Sequence, residues 1–157
     1  DDAYHRTVRV VRDDGVYAGW IRVTPEAAAH ALRVTVSDSL LPAVPAVLRR
    51  VRRLFDLEAD PAEIAARLGT LAERSPGLRL PGAFDPFEMA VRAILGQQIT
   101  VKAARTLAGR FAQAFGTPLD APDPALRTLF PAAATVAEAS IDAIASLGIV
   151  SARAQAI

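Results

Sequence analysis

The 157-residue sequence contains no cysteine, one tryptophan and a single lysine, Lys102, so almost all of its basic side chains are arginines. The absence of cysteine excludes disulfides, thiolate metal sites and a cysteine methyl acceptor within these residues. No apolar run approaches the roughly 18 to 20 residues that a membrane span needs. We therefore expect a soluble, cytoplasmic chain without a signal peptide.

Residues that bind metals or give a strong net charge are also scarce. The two histidines, His5 and His30, lie on predicted strands away from any carboxylate cluster, so we expect surface positions and no metal site. The net charge of +1 says little about partners, because nucleic-acid binding depends on where the charges lie. The arginine preference suits bidentate phosphate contacts. A high-GC coding bias in an alanine-rich sequence produces the same preference, and we favour that interpretation.

The first part of the chain has the pattern of β-strands. Hydrophobic residues make up 52% of the sequence, enough to bury the core of one domain or of two small ones. Residues 4–37 alternate apolar and polar side chains in three segments, as strands do. Asp13-Asp14-Gly15 lies between the first two segments and predicts a tight hairpin there, because Asp-Gly supplies the positive φ that such a turn needs. Residues 24–26 are expected to form a looser second turn. The pattern predicts an antiparallel meander with one face that needs cover.

After Pro42 the apolar spacing becomes helical. A first helix, which can cover the sheet, carries four arginines between positions 49 and 53. They could bind phosphate, but a charged surface helix is more often simply solvated, and we favour that interpretation. Asp60 begins a second helix as its N-cap. The stretch at residues 74–82 is rich in proline and glycine and predicts a linker or domain boundary.

Beyond this stretch the periodicity is helical throughout. Asp85 is the predicted N-cap of one helix and Thr100 that of the next, with Gln97 and Gln98 in the short turn between them. Further helix starts are predicted at Asp123, at residues 135–138 and at Ser140. In the helix after Thr100 we expect these side chains to face inward: Val101, Ala104, Leu107, Ala108 and Phe111. Short connections of this kind are typical of a compact helical bundle.

Several motifs together carry a family resemblance. They are PGLRLPG at 76–82, DPFE at 85–88, AILGQQIT at 93–100, and LGI at 147–149 followed by ARA at 152–154. With RLFDL at 53–57 and the strand meander, they resemble the DNA-3-methyladenine glycosylase II family of the helix-hairpin-helix glycosylase superfamily. The resemblance implies an α+β fold. Residues 1–78 would form an antiparallel sheet with covering helices, similar to half of a TATA-binding protein, and residues 79–157 an incomplete all-α helix-hairpin-helix bundle.

The same resemblance implies bacterial base-excision repair. The parent enzyme would hydrolyse the N-glycosidic bond of alkylated purines, of the 3-methyladenine class, in double-stranded DNA after rotating the base out of the stack. It would be a monomer and would use no metal or cofactor. Members of the family stabilise the sugar cation with an aspartate and bind a phosphate with a hairpin of the pattern Leu-Pro-Gly-aliphatic-Gly. We expect both to lie beyond Ile157 and a further strand before Asp1, so no catalytic residue is assigned here.

The candidate DNA-binding residues are Gln97, Gln98, Thr100 and Lys102. Gln98 is the predicted wedge, because an amide on a flexible stem can fill the vacated space and hydrogen-bond the orphaned base. The alternative is that both glutamines only cap helix ends. Two other functions stay open, a non-catalytic DNA-binding module of an adaptive-response regulator and a helical scaffold without affinity for nucleic acid. Three further features, Trp20, Asp123 and the LGI turn, are interpreted as structural.

Overall fold

The computed structural model describes residues 2–157, which form two compact units. The first comprises residues 2–44 together with Ala90–Ile157, and the second comprises Pro45–Met89. The predicted boundary between residues 78 and 79 lies inside the second unit, and as a pair of domains it stays a prediction. No helix within residues 2–157 is long and apolar enough to cross a membrane.

The first unit begins with a three-stranded antiparallel sheet, as predicted, in the order β1 (Tyr4–Arg12), β2 (Gly15–Glu26) and β3 (Ala31–Val36). The second turn was predicted wrongly, because residues 24–26 continue β2 and the reversal falls at Ala27–Ala29. Pro25 is tolerated there because β1 pairs with β2 only as far as Val23, so the missing N–H costs no ladder bond on that side. His30, with a φ of 47°, lies in this reversal and not on a strand.

The core face of the sheet carries Val8 and Val10 from β1 and Ile21 and Val23 from β2, all buried. A 3₁₀ helix at Asp38–Ala43 packs on the sheet and buries Leu40. Close approach is possible because Gly19 has no side chain. A Cβ at this position would lie 2.0 Å from Ser37 Oγ and 2.8 Å from Leu40 Cγ.

The rest of the first unit is mostly helical. Its elements are α3 (Pro86–Gly96, whose first turn belongs to the second unit), α4 (Val101–Phe115), β4 (Thr117–Pro118), β5 (Thr128–Leu129), α5 (Ala133–Ala137), α6 (Ile141–Ala145) and α7 (Ser151–Ala156). The core includes Phe111, whose ring centroid lies 5.7 Å from that of Phe130. The expectation of helices alone missed the short β4–β5 hairpin. The predicted helix start at residues 135–138 was also late, since α5 begins at Ala133 without a side-chain cap that the sequence could have indicated.

The sheet and the helices of the first unit are joined along β1. Thr7 Oγ1 donates to the carbonyl of Thr128 at 3.2 Å. The Arg9 guanidinium donates to the carbonyl of Phe130 at 3.2 Å and to Thr117 Oγ1 at 3.0 Å. Both donors lie on the face of β1 opposite its buried valines, and this face therefore carries the β4–β5 hairpin.

The second unit contains α1 (Val44–Leu54), except for its first residue, and α2 (Pro61–Leu68). Asp60 caps α2 as predicted, with its Oδ1 accepting from the amide of Ala62 at 2.8 Å. The predicted linker at residues 74–82 is bonded to the segment that follows α1, where Arg79 donates to the carbonyls of Asp56 and Ala59. The interpretation of the α1 arginines as solvated was only partly correct, because Arg50 lies over the ring of Phe84, 5.7 Å from its centroid.

Replacing Gly19 by alanine should lower the free energy of unfolding by roughly 1–3 kcal/mol, because the new methyl group overpacks the space under the 3₁₀ helix. Gly109→Ala is the matched control. Gly109 lies within α4 with open space around it, so alanine should raise the free energy of unfolding by about 0.5–1 kcal/mol. Urea unfolding of the two variants checks both signs, and a neutral Gly19→Ala would contradict the packing described.

Asp85 caps α3, with its Oδ1 accepting from the amide of Glu88 at 2.9 Å. Asp85→Ala should therefore cost about 1 kcal/mol of stability. Asp120→Ala, which removes an exposed carboxylate that precedes no helix, should leave the melting temperature unchanged. Equal melting temperatures for both variants would sink the capping role of Asp85.

Candidate nucleic-acid interface

The turn between α3 and α4 presents two exposed glutamines. α3 ends at Gly96 and α4 begins at Val101, so Gln97 and Gln98 lie at the reversal with their side chains exposed. Thr100 is the N-cap of α4, as predicted, and its Oγ1 accepts from the amide of Ala103 at 3.2 Å. This confirms the capping role of Thr100 and leaves its role in DNA binding a prediction.

Gln98 adopts a left-handed backbone conformation with a φ of 53°. Glycine or asparagine fits this region more easily, because a side chain with a Cβ crowds the following carbonyl there. Gln98 is not a side-chain cap of α4, since Thr100 has that position. An exposed glutamine at a position of this kind is a candidate for function, because local strain is concentrated at ligand sites.

Cationic side chains follow the turn. Lys102 and Arg105 are exposed on the first turns of α4, three residues apart and hence on one face of the helix. Arg92 lies on α3 with its guanidinium 5.4 Å from the ring centroid of Phe130. Val101, predicted to face inward, is 70% exposed, because the first turn of α4 extends beyond the packed stripe formed by Ala108 and Phe111. This surface therefore combines two exposed glutamine amides, an exposed valine and three cations.

Arg153 reaches the same turn from α7. Its Nη2 donates to the carbonyl of Gln97 at 2.5 Å, across 56 residues of sequence. The residue lies in the ARA motif at 152–154, but nothing in the spacing of that motif indicates a contact with Gln97. Sequence reasoning therefore missed Arg153 as part of the site.

The features interpreted as structural have structural contacts. Trp20 is half-buried on β2, and its amide donates to Ser37 Oγ at 3.1 Å. In the LGI turn Ile149 is buried and the Leu147 carbonyl accepts from Arg110 at 3.1 Å. Asp123 caps the 3₁₀ helix at Pro124–Leu126. Within residues 2–157, no group of three or more histidine, aspartate or glutamate side chains could hold a metal ion.

The family model of the AlkA N-terminal domain matches residues 1–85. This chain belongs to the AlkA N-terminal domain family. The resemblance inferred from the motifs is thereby confirmed for the strand meander, for RLFDL at 53–57 and for PGLRLPG at 76–82.

Relatives extend the similarity over the whole chain. It is 39% identical over 157 residues to the DNA-3-methyladenine glycosylase 2 of Escherichia coli K12, covering 100% of this chain and 54% of that protein. It is 38% identical over 144 residues to the "Probable bifunctional transcriptional activator/DNA repair enzyme AlkA" of Mycobacterium tuberculosis, covering 88% of this chain and 28% of that protein. The chain therefore spans about half the length of the glycosylase and a smaller share of the bifunctional protein.

The fold is similar to that of a solved glycosylase. Superposition on the 3-methyladenine DNA-glycosylase of Archaeoglobus fulgidus gives a TM-score of 0.70 at 21% identity, covering 99% of this chain and 53% of that one. The predicted α+β class, with an antiparallel sheet followed by helices, is confirmed.

The conformation of Gln98 predicts an unusual response to glycine. Gln98→Gly should raise the free energy of unfolding by roughly 1 kcal/mol, because it relieves the left-handed strain. Gln97→Gly is the matched control and should lower it by roughly 0.5–1 kcal/mol, since Gln97 has no positive φ to relieve. Thermal and urea unfolding compare the two, and equal losses of stability would rule out a strained turn.

Proposed function

We propose that this chain is the part of a base-excision DNA glycosylase that binds duplex DNA and fills the space left by an extruded base. The whole protein would hydrolyse the N-glycosidic bond of alkylated purines of the 3-methyladenine class. The observation that carries the proposal is the exposed, left-handed Gln98 at the reversal between α3 and α4. Membership of the AlkA N-terminal domain family and the similarity to the E. coli glycosylase support it.

An enzyme that acts on a base inside a duplex must first take the base out of the stack, at a cost of a few kcal/mol. Gln98 offers an uncharged side chain that can occupy the gap and both donate to and accept from the orphaned base. The exposed Val101 beside it adds apolar surface for contact with unstacked bases. A charged wedge would be more expensive to bury among bases than this amide.

Phosphate contacts would come from the start of α4. The helix N-terminus carries partial positive charge and free amides, and Lys102 and Arg105 extend this positive potential along one exposed face. In this proposal Thr100 and Gln97 contact the backbone next to the gap. Such contacts fix the register of the protein on the duplex without reading its sequence.

The proposed chemistry is hydrolysis by a monofunctional, monomeric enzyme without metal or cofactor. An aspartate would stabilise the oxocarbenium character of the sugar as the base departs. No residue of this chain is proposed for that role, because Asp85 and Asp123 are already used as helix caps. No lysine of the chain is proposed to form a Schiff base.

A second candidate function is a non-catalytic DNA-binding module of an adaptive-response regulator. The name of the M. tuberculosis relative, which combines a transcriptional activator with a DNA repair enzyme, favours it. The two candidates differ in one measurement. A glycosylase releases free methylated base from alkylated duplex, whereas a regulator module binds the duplex and releases none.

In the whole protein, Gln98→Ala should lower the rate of single-turnover excision from duplex DNA by roughly tenfold or more, because the wedge no longer offsets the unstacking cost. Excision from single-stranded substrate should change much less. Gln113→Ala, at an exposed glutamine near the end of α4, is the matched control and should leave both rates unchanged. Excision from duplex at the wild-type rate would reduce Gln98 to a turn residue.

The 157-residue chain by itself should release no 3-methyladenine or 7-methylguanine above a heat-inactivated control, because it contains no Leu-Pro-Gly-aliphatic-Gly hairpin. It should still bind duplex DNA, with an affinity that falls roughly tenfold between about 50 and 200 mM salt. Measurable base release would refute the first expectation. Salt-independent binding, or none, would refute the second and favour the scaffold.

A further inference from the structure

The Gln97–Gln98 turn is held from outside its own two helices. Arg153 on α7 donates from Nη2 to the carbonyl oxygen of Gln97 at 2.5 Å. The donor is charged, so the bond belongs to the stronger class of protein hydrogen bonds. We propose that Arg153 is the positioning residue that keeps this turn in the shape that presents Gln98 to DNA. This rests on the proposed function of Gln98 as the wedge.

The contacted carbonyl is at the position that controls the conformation of Gln98. The C=O of Gln97 and the N–H of Gln98 belong to one planar peptide group. With that plane fixed, φ of Gln98 is the first backbone rotation between it and the rest of the turn. On the other side, the cap from Thr100 to Ala103 fixes the start of α4. The left-handed φ of 53° at Gln98 therefore lies between two fixed groups.

Arg153 is itself well anchored. Ile149 before α7 and Ala154 within it are both buried, at 2% exposure. The amide of Arg153 donates to the carbonyl of Val150 at 2.9 Å, and Gly148 makes the preceding reversal with a φ of 87°. The guanidinium is thus delivered to the turn by a short helix whose position is set by packing. An arginine on a loose segment would lose more conformational entropy on making the same bond.

The chain offers a control for a purely structural role. Arg127 also donates to a backbone carbonyl of the same unit, that of Ala121 at 3.4 Å. This bond does not involve the Gln97–Gln98 turn. If any arginine–carbonyl bond of the bundle supported DNA insertion through stability alone, Arg127→Met and Arg153→Met would act alike. If Arg153 acts through the turn, only Arg153→Met changes the behaviour of Gln98.

The first test needs no DNA. In the free chain, an intense intraresidue amide-to-Hα NMR cross-peak reports the left-handed φ of Gln98. We expect this cross-peak to weaken severalfold in Arg153→Met and to be kept in Arg127→Met and in Arg153→Lys, which retains a charged donor. A full-intensity cross-peak in Arg153→Met, or its loss in Arg127→Met, would overturn the proposal.

The second test measures insertion. A duplex with 2-aminopurine opposite an abasic-site analogue reports entry of a side chain as a change in fluorescence at saturating protein, while anisotropy reports binding. Arg153→Met should reduce the fluorescence change by roughly fivefold and weaken binding less. Arg153→Lys should recover at least half of it, and Arg127→Met should match the wild type.

A double-mutant cycle assigns the effect to Gln98. Gln98→Ala alone should reduce the fluorescence change to a small but measurable residual, and adding Arg153→Met should not lower that residual further. Additive losses, or an Arg153→Lys as poor as Arg153→Met, would overturn the positioning role. If the wild-type chain and Gln98→Ala give the same fluorescence, the proposed function fails, whereas the NMR test still decides what Arg153 does to the turn.

Discussion

The reversal between α3 and α4 places a residue other than glycine in the left-handed region, and the candidate interface depends on this constraint. A glycine at position 98 would satisfy the backbone more easily, but it would carry no side chain to the surface. The strain at Gln98 is compensated locally by the Thr100 cap and at long range by Arg153. The turn is therefore a place where stability and the proposed function have opposite requirements.

The rest of the first unit supplies the frame for that turn. Arg9 and Thr7 attach the sheet to the β4–β5 hairpin. Phe111 of α4 packs against Phe130, the residue that follows β5. α4 is thus held at its centre by core packing, while its first turn, with the exposed Val101, is left free of the core. A rigid helix whose first turn is exposed suits binding, because binding residues are more precisely positioned on rigid elements than on loops.

The sequence predicted those features whose chemistry is local. The caps at Asp85 and Thr100 follow from one side chain and an amide three residues away, so a short motif contains all the information. The three strands follow from alternation and the first turn from Asp-Gly, whereas the second turn was placed too early, because Pro25 continues β2. The role of Arg153 could not be predicted, because its acceptor is 56 residues distant and a carbonyl has no sequence signature. The exposure of Val101 was missed for a related reason, since periodicity gives the face of a helix but not where its packing partners end.

Entry of the side chain at position 98 into the duplex can be measured directly, because the chain contains no cysteine. Gln98→Cys introduces the sole thiol of the chain, which can form a disulfide with a thiol-bearing base placed opposite an abasic-site analogue. We expect rapid, high-yield cross-linking from position 98 and little from the matched Gln113→Cys. Equal yields from the two positions, or cross-linking that does not depend on the abasic site, would contradict it.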